Sequence, residues 1–128
     1  MLLEQLFFVP VLLCSVVSGY LIGYERRRKG KSIGSSTVML VVLAAASFSF
    51  VSALVDPMST TRIAANVLTG VAFLCAGVLV KDGKQVTNLT TSVALWTATA
   101  IGLAYGYQLY LIGILLTIAD LIICNIKN

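Results

Sequence analysis

The sequence predicts an all-α, polytopic membrane helix bundle of five transmembrane helices, with the N-terminus outside and the C-terminus inside. Three observations carry this reading. First, 59% of the 128 residues are hydrophobic, only 11% are charged, and the mean hydropathy is +0.98. A water-facing domain of this size needs far more charge on its surface, so lipid is the economical cover for most of it. Second, the charges cut the chain into apolar stretches of bilayer-crossing length. About 20 uncharged residues separate Glu4 from Glu25, about 24 separate Lys31 from Asp56, and about 18 separate Arg62 from Lys81. A bilayer core of about 30 Å takes about 20 residues at about 1.5 Å each. Third, alternating loops place Arg26, Arg27, Arg28, Lys29, Lys31, Lys81, Lys84 and Lys127 on one side and Arg62 alone on the other. That bias assigns the basic side to the cytoplasm. One domain covering residues 1–128 is expected.

The first helix is expected over about 4–24. It is too long for a signal-peptide core and shows no convincing small-residue cleavage site, so it should stay as a span. Pro10 can bend it, as membrane helices tolerate. The second helix is expected over 35–54 and ends at Asp56-Pro57, because proline disfavours an α conformation in the residue before it. The third is expected over 63–80, with Ser59, Thr60 or Thr61 available as a cap. Asp82-Gly83 then makes a turn. Val78-Leu79-Val80 and Gln85-Val86-Thr87 flank it, a pattern that fits either a loop or a short β-hairpin. The stretch from Lys84 to Asp120 holds about 35 uncharged residues. As one helix it would run about 50 Å, too long for a single crossing. A break at Ala104-Tyr105-Gly106-Tyr107-Gln108 divides it into helices over 88–104 and 108–125, the former capped by Asn88 or Thr90.

Inside lipid, helices associate through close packing and interhelical hydrogen bonds. Gly19 and Gly23, Ala72 and Ala76, Ala94 and Ala98, and Gly102 and Gly106 supply small pairs four residues apart, which fit packing within the subunit or self-association. The abundant Ser and Thr residues can bond to their own helix, so they are weak evidence for a polar pore. Cys14, Cys75 and Cys124 all lie in apolar segments without histidine, and read as small buried residues. The net charge of +4 does not point to nucleic acid, because the basic residues sit at membrane edges.

Few residues are placed for chemistry. Glu25 sits where the first helix leaves the bilayer, as a salt-bridge partner or as a buried anchor. Asp120 lies inside the last helix, where an acid must be paired, protonated or wetted. Asn66 in the third helix wants an interhelical partner. Arg62 and Asp56 can bridge the second and third helices at the outer face. Glu25, Asp82 and Asp120 all face the cytoplasm, but the surrounding basic charge disfavours a cation, so no metal site and no cofactor is expected. No nucleophile–base pair or phosphate-binding glycine loop argues for an enzyme.

Three runs of residues carry a family resemblance. The first is Gly19-Tyr20-Leu21-Ile22-Gly23-Tyr24-Glu25-Arg26 with Lys31, Gly34 and Thr37. The second is Asp56-Pro57, Arg62-Ile63-Ala64-Ala65-Asn66-Val67-Leu68-Thr69-Gly70 and Phe73-Leu74-Cys75-Ala76-Gly77-Val78. The third is Asn88-Leu89-Thr90-Thr91-Ser92 with Ala94, Leu95, Trp96, Ala100, Ile101 and Gly102. In order and spacing the set resembles the membrane domain of the bacterial MgtC/SapB family over about residues 19–105. The chain departs from the pattern at Ser36, where the family often has arginine, at Asn66, where many members have glutamine, and at Cys75 and Asn88, where many have glycine.

The resemblance implies a multi-pass protein of the bacterial inner membrane. Relatives help cells adapt to low magnesium and to life inside macrophages, and some bind and inhibit the rotary ATP synthase. Expected partners are therefore the lipid bilayer and a membrane protein, the ATP synthase first among candidates, and the small-residue pairs add a second copy of the chain in a homo-oligomer. Ion transport, magnesium above all, and a structural membrane homo-oligomer are the alternatives. Longer members carry a soluble cytoplasmic domain after the fifth helix. Ending at Asn128, this chain is read as a short member without it, and functions resting on that domain are not expected of it.

Overall fold

The structure, a computed structural model, describes residues 2–29, 34–78, 80–82, 85–87 and 89–126, with backbone alone for 78, 80–82 and 85–87. The expected Gly83 turn, the Asn88 cap and Lys31, Lys84 and Lys127 lie outside the described residues. The elements run α1 (Leu2–Leu6), α2 (Phe8–Arg28), α3 (Ser35–Val55), α4 (Thr60–Val78), β1 (Val80–Asp82), β2 (Gln85–Thr87), α5 (Leu89–Gly106) and α6 (Tyr110–Cys124). Apart from one small hairpin this is a bundle of helices. Leu2–Arg28, Ser35–Val55 and Thr60–Gly77 are each long and apolar enough to cross a membrane, and Tyr110–Cys124 is a shorter apolar helix.

Several boundaries differ from the sequence reading. The first span breaks at Phe7, where α1 gives way to α2. Proline has no N–H to donate, and Pro10 falls in the first turn of α2, where that donor has no intrahelical partner anyway. More consequentially, α2 continues to Arg28 rather than stopping near residue 24. Glu25 and Arg26 are therefore helical side chains, not loop charges. The segment after α4 forms the hairpin, antiparallel, with Val80 opposite Thr87 and Asp82 opposite Gln85. Thr90 lies within α5 rather than capping it.

The break between the last two helices falls two residues later than expected. Tyr105 is inside α5, and the chain turns at Tyr107–Leu109. Gln108 donates to the Tyr105 carbonyl at 2.9 Å and Leu109 to that of Ala104 at 2.8 Å. This is the Schellman pattern, with Gln108 in the left-handed position at φ 64°, where glycine is the usual occupant.

The helix α5 sits at the centre and touches α2, α3, α4 and α6. Most of its residues are buried, and it is not among the helices apolar enough to be read as a span. The physical reason is its position: a helix wrapped by other helices need not present an apolar surface to lipid. Its Thr91, Ser92 and Thr99 can be polar because they face protein.

Glycines let the helices approach. A Cβ on Gly19 would lie 2.6 Å from the Met39 Cα, and one on Gly23 would lie 2.5 Å from the Ser35 Cα, so α2 packs backbone to backbone on α3. On the other side of α3, Gly102 sits against the Val42 carbonyl and Gly106 against the Ala46 carbonyl and Ser49 Oγ. Ala94 and Ala98 are buried in the same packing. Ala72 and Ala76, by contrast, are exposed on α4.

Polar ties complete the bundle. Ser18 Oγ and Tyr105 Oη lie 2.7 Å apart, and Thr117 Oγ1 lies 3.1 Å from Ser18 Oγ, joining α2, α5 and α6. Gly113 makes room for the Tyr105 ring. Cys75 and Ser92 each donate to the other's carbonyl, at 3.1 and 3.0 Å, and fasten α4 to α5. At the end opposite the hairpin, Ser52 Oγ and Tyr107 Oη both donate to the Thr60 carbonyl, at 3.2 and 2.5 Å. These bonds hold the α3–α4 connection in place of the expected Asp56–Arg62 bridge: both residues are exposed, and no ion pair joins them among the described residues.

Candidate functional site

The chain's buried charges meet at one end of the bundle. The last turn of α2 brings Glu25 and Arg26, the first turn of α5 brings Thr91, and the last turns of α6 bring Asp120 and Cys124. Glu25 and Asp120 are each 6% exposed and Arg26 is 2% exposed, the lowest value for any charged residue in the core. Arg26 Nη2 donates to Thr91 Oγ1 at 3.0 Å. Lys29 Nζ lies 2.9 Å from Glu25 Oε1, one helical turn away, and also donates to the Cys124 carbonyl. Cys124 Sγ donates to Asp120 Oδ1 at 3.4 Å. Asp120 lies within electrostatic range of both Glu25 and Arg26.

Two acids and two bases thus face one another where α2, α5 and α6 converge. A buried carboxylate without a counter-charge costs several kcal/mol; Lys29 supplies one for Glu25, and no ion pair reaches Asp120 among the described residues. The cluster is not fully satisfied from within. Glu25 Oε2, Arg26 Nε and Asp120 Oδ2 find no hydrogen-bond partner among the described residues. Among those residues, no group of three or more Cys, Asp and Glu side chains is placed to hold a metal ion.

From the sequence, Arg26 counts both among the charges that set orientation and, beside Glu25, in the first motif run. The longer α2 puts both in the bundle, and Arg26 is the deeper of the two. Lys29, read as one surface charge among several, is the strap between α2 and α6.

The remaining motif residues sort by position. Gly19, Gly23 and Cys75 are packing residues with the neighbours given above. Gly34 precedes α3 in extended conformation, with nothing within 4 Å of a Cβ built on it. Asp56, Pro57, Arg62, Asn66, Gly70, Gly77 and Thr90 are exposed. Trp96 is half-exposed. Thr37 and Asn66 line a groove between α3 and α4. Tyr105, placed by the sequence in the break between the last two helices, is instead a buried hub; the signal for it is Gly113, whose missing side chain leaves space for a large neighbour.

Glu25→Gln is expected to lower stability in detergent more than Lys29→Gln, by at least about 1 kcal/mol, because Glu25 is buried and Lys29 is partly solvated. Equal losses in matched denaturation curves would contradict the burial argument.

The MgtC family profile matches residues 12–128, nearly the whole chain. The chain belongs to the MgtC family. Protein MgtC of Salmonella typhimurium is 37% identical over 99 residues, covering 77% of this chain and 43% of that protein. Protein MgtC of Brucella abortus is 40% identical over 89 residues, covering 69% of this chain and 37% of that protein. The chain thus spans about two fifths of the length of the MgtC relatives it matches. No solved structure matches it.

Proposed function

We propose that this MgtC-family chain is a regulatory protein of the bacterial inner membrane that acts by binding another membrane complex, with the rotary ATP synthase as the first candidate, in cells adapting to low magnesium. In this reading it crosses the membrane five times, with the cluster of Glu25, Arg26 and Asp120 at the cytoplasmic end and the N-terminus outside. The bias of basic residues supports that orientation. It acts without catalysing a reaction.

The observation that carries the choice of regulator over transporter is how the hydroxyl groups are used. Ser47, Ser49, Thr69, Thr97, Thr99 and Thr117 each donate to a carbonyl of their own helix, and Ser18 is held by Tyr105 and Thr117. Groups committed to internal bonds are poor stepping stones for an ion, which needs ligands in place of its water. Ion transport keeps the unsatisfied oxygens of Glu25 and Asp120 and the buried hydroxyls of Ser15 and Ser35, which find no hydrogen-bond partner among the described residues.

Co-purification from native bacterial membranes after mild cross-linking tests the regulatory reading, and ATP synthase subunits are the expected recovery. Repeated failure to recover any membrane protein, together with magnesium flux into liposomes that hold the purified chain, would replace it with transport.

A further inference from the structure

The helix α4 is in the wrong environment for a helix of an isolated subunit. Of the three helices long and apolar enough to cross a membrane, it is the least apolar, yet only 6% of its window is buried, against 33% and 39% for the other two. Lipid should face the most apolar helix, not the least. The bundle shows what a lipid face looks like on α6, where Leu111, Leu115, Ile122 and Ile123 are each more than half exposed. The exposed face of α4 differs: Arg62, Asn66, Thr69, Gly70 and Gly77 stand among its large residues, of which Phe73, at 80%, is far the most exposed. Asn66 makes no hydrogen bond among the described residues, and an amide facing hydrocarbon without a partner is costly. Beside this face runs a groove of about 690 Å³ between α3 and α4, with Asn66 and Thr37 its polar lining residues.

We propose that this face of α4, with the groove beside it, is the surface through which two copies of the chain pair in the membrane. The argument is self-complementarity. Two copies inserted the same way are related by a twofold axis along the membrane normal, and their α4 helices then lie parallel. At about 100° per residue, Arg62, Thr69 and Phe73 fall on one side of Asn66. Gly70, Gly77 and the groove-lining Ile63 and Leu74 fall on the other.

The twofold sets each side against the opposite side of the second copy. Phe73 of each copy then meets the gap left by Gly70 and Gly77 of the other, at the edge of the groove. Asn66 falls nearest the axis. A carboxamide offers both donor and acceptor, so two Asn66 side chains satisfy one another. Arg62 of each copy turns toward the α3 side of the other, where α3 ends at Asp56. Neither of those charges is ion-paired within its own chain among the described residues. Lipid chains filling the groove would answer none of these three features.

The test is energy transfer between donor- and acceptor-labelled full chain in phosphatidylglycerol–phosphatidylcholine vesicles, followed as lipid dilutes the protein. Wild type is expected to dissociate along a monomer–dimer curve. Asn66→Leu and Phe73→Ala are each expected to weaken pairing by about tenfold or more, while Ile118→Ala on the lipid face of α6 leaves it unchanged. Phe73 is so exposed that truncating it leaves the packing of the single chain intact, so a lost signal there reads the interface and not the fold. Wild type that stays monomeric at every lipid ratio would overturn the proposal. So would pairing that survives Phe73→Ala but not Ile118→Ala.

Discussion

Replacing Arg26 with glutamine is expected to destabilise the folded bundle by about 1.5–3 kcal/mol, the usual range for losing a hydrogen bond made by a charged group. Arg26 is 2% exposed and reaches from α2 to Thr91 on α5. Its removal leaves Glu25 and Asp120 in the same enclosed space with Lys29 as the one remaining base of the cluster. Lys29 cannot take over, because it is already engaged with Glu25 and with the Cys124 carbonyl. The readout is the unfolding midpoint of purified protein titrated with a denaturing detergent. Arg27→Gln is the internal control. Arg27 is exposed, and an exposed substitution of this kind stays within about 0.5 kcal/mol. If both variants behave alike, the buried role assigned to Arg26 is wrong.

Gly106→Leu is the second large effect, expected to cost about 1–3 kcal/mol or more through overpacking. A side chain there runs into the Ala46 carbonyl and the Ser49 hydroxyl. The first is main chain of a buried helix and cannot turn aside. The second is held among the Ala45, Ala46 and Leu103 carbonyls, at 3.1, 3.1 and 3.3 Å, any one of which can take its single proton. The central helix α5 would have to move off α3, opening the interface that Gly102 and Ala98 also form. Gly77→Leu gives the contrast, since nothing lies within 4 Å of a Cβ at that position. The same titration should leave Gly77→Leu near wild type and shift Gly106→Leu strongly.

Much of the fold was legible in the sequence because bilayer thickness and charge placement are strong constraints. Apolar runs between charges located the helices, and the intrahelical habit of Ser and Thr was read correctly. The errors have a common cause. Charge was used to mark where a span ends, and that rule cannot see a charge buried inside the bundle. It therefore stopped the first helix near residue 24 and left Arg26 among the topology signals, although the helix runs on to Arg28. The helix expected over 88–104 is present as α5, but hydropathy did not show that it is the central one, in contact with α2, α3, α4 and α6. Pairs such as Cys75 with Ser92 and Ser18 with Tyr105 join residues far apart in the chain, and one sequence carries no record of which helices are neighbours. The exposed face of α4 was half legible: Asn66 was seen to need a partner across a helix interface, but the subunit itself does not supply one.

The central claim is that α2, α5 and α6 are held together by a shared charge cluster. A double-mutant cycle between Arg26→Gln and Asp120→Asn, read as unfolding free energies in the same detergent, tests it most directly. The account predicts a coupling of about 1 kcal/mol or more, because neutralising Asp120 removes much of the reason Arg26 is needed. Additivity of the two substitutions within about 0.5 kcal/mol would contradict it, and would reduce the cluster to charges that share a space without acting on one another.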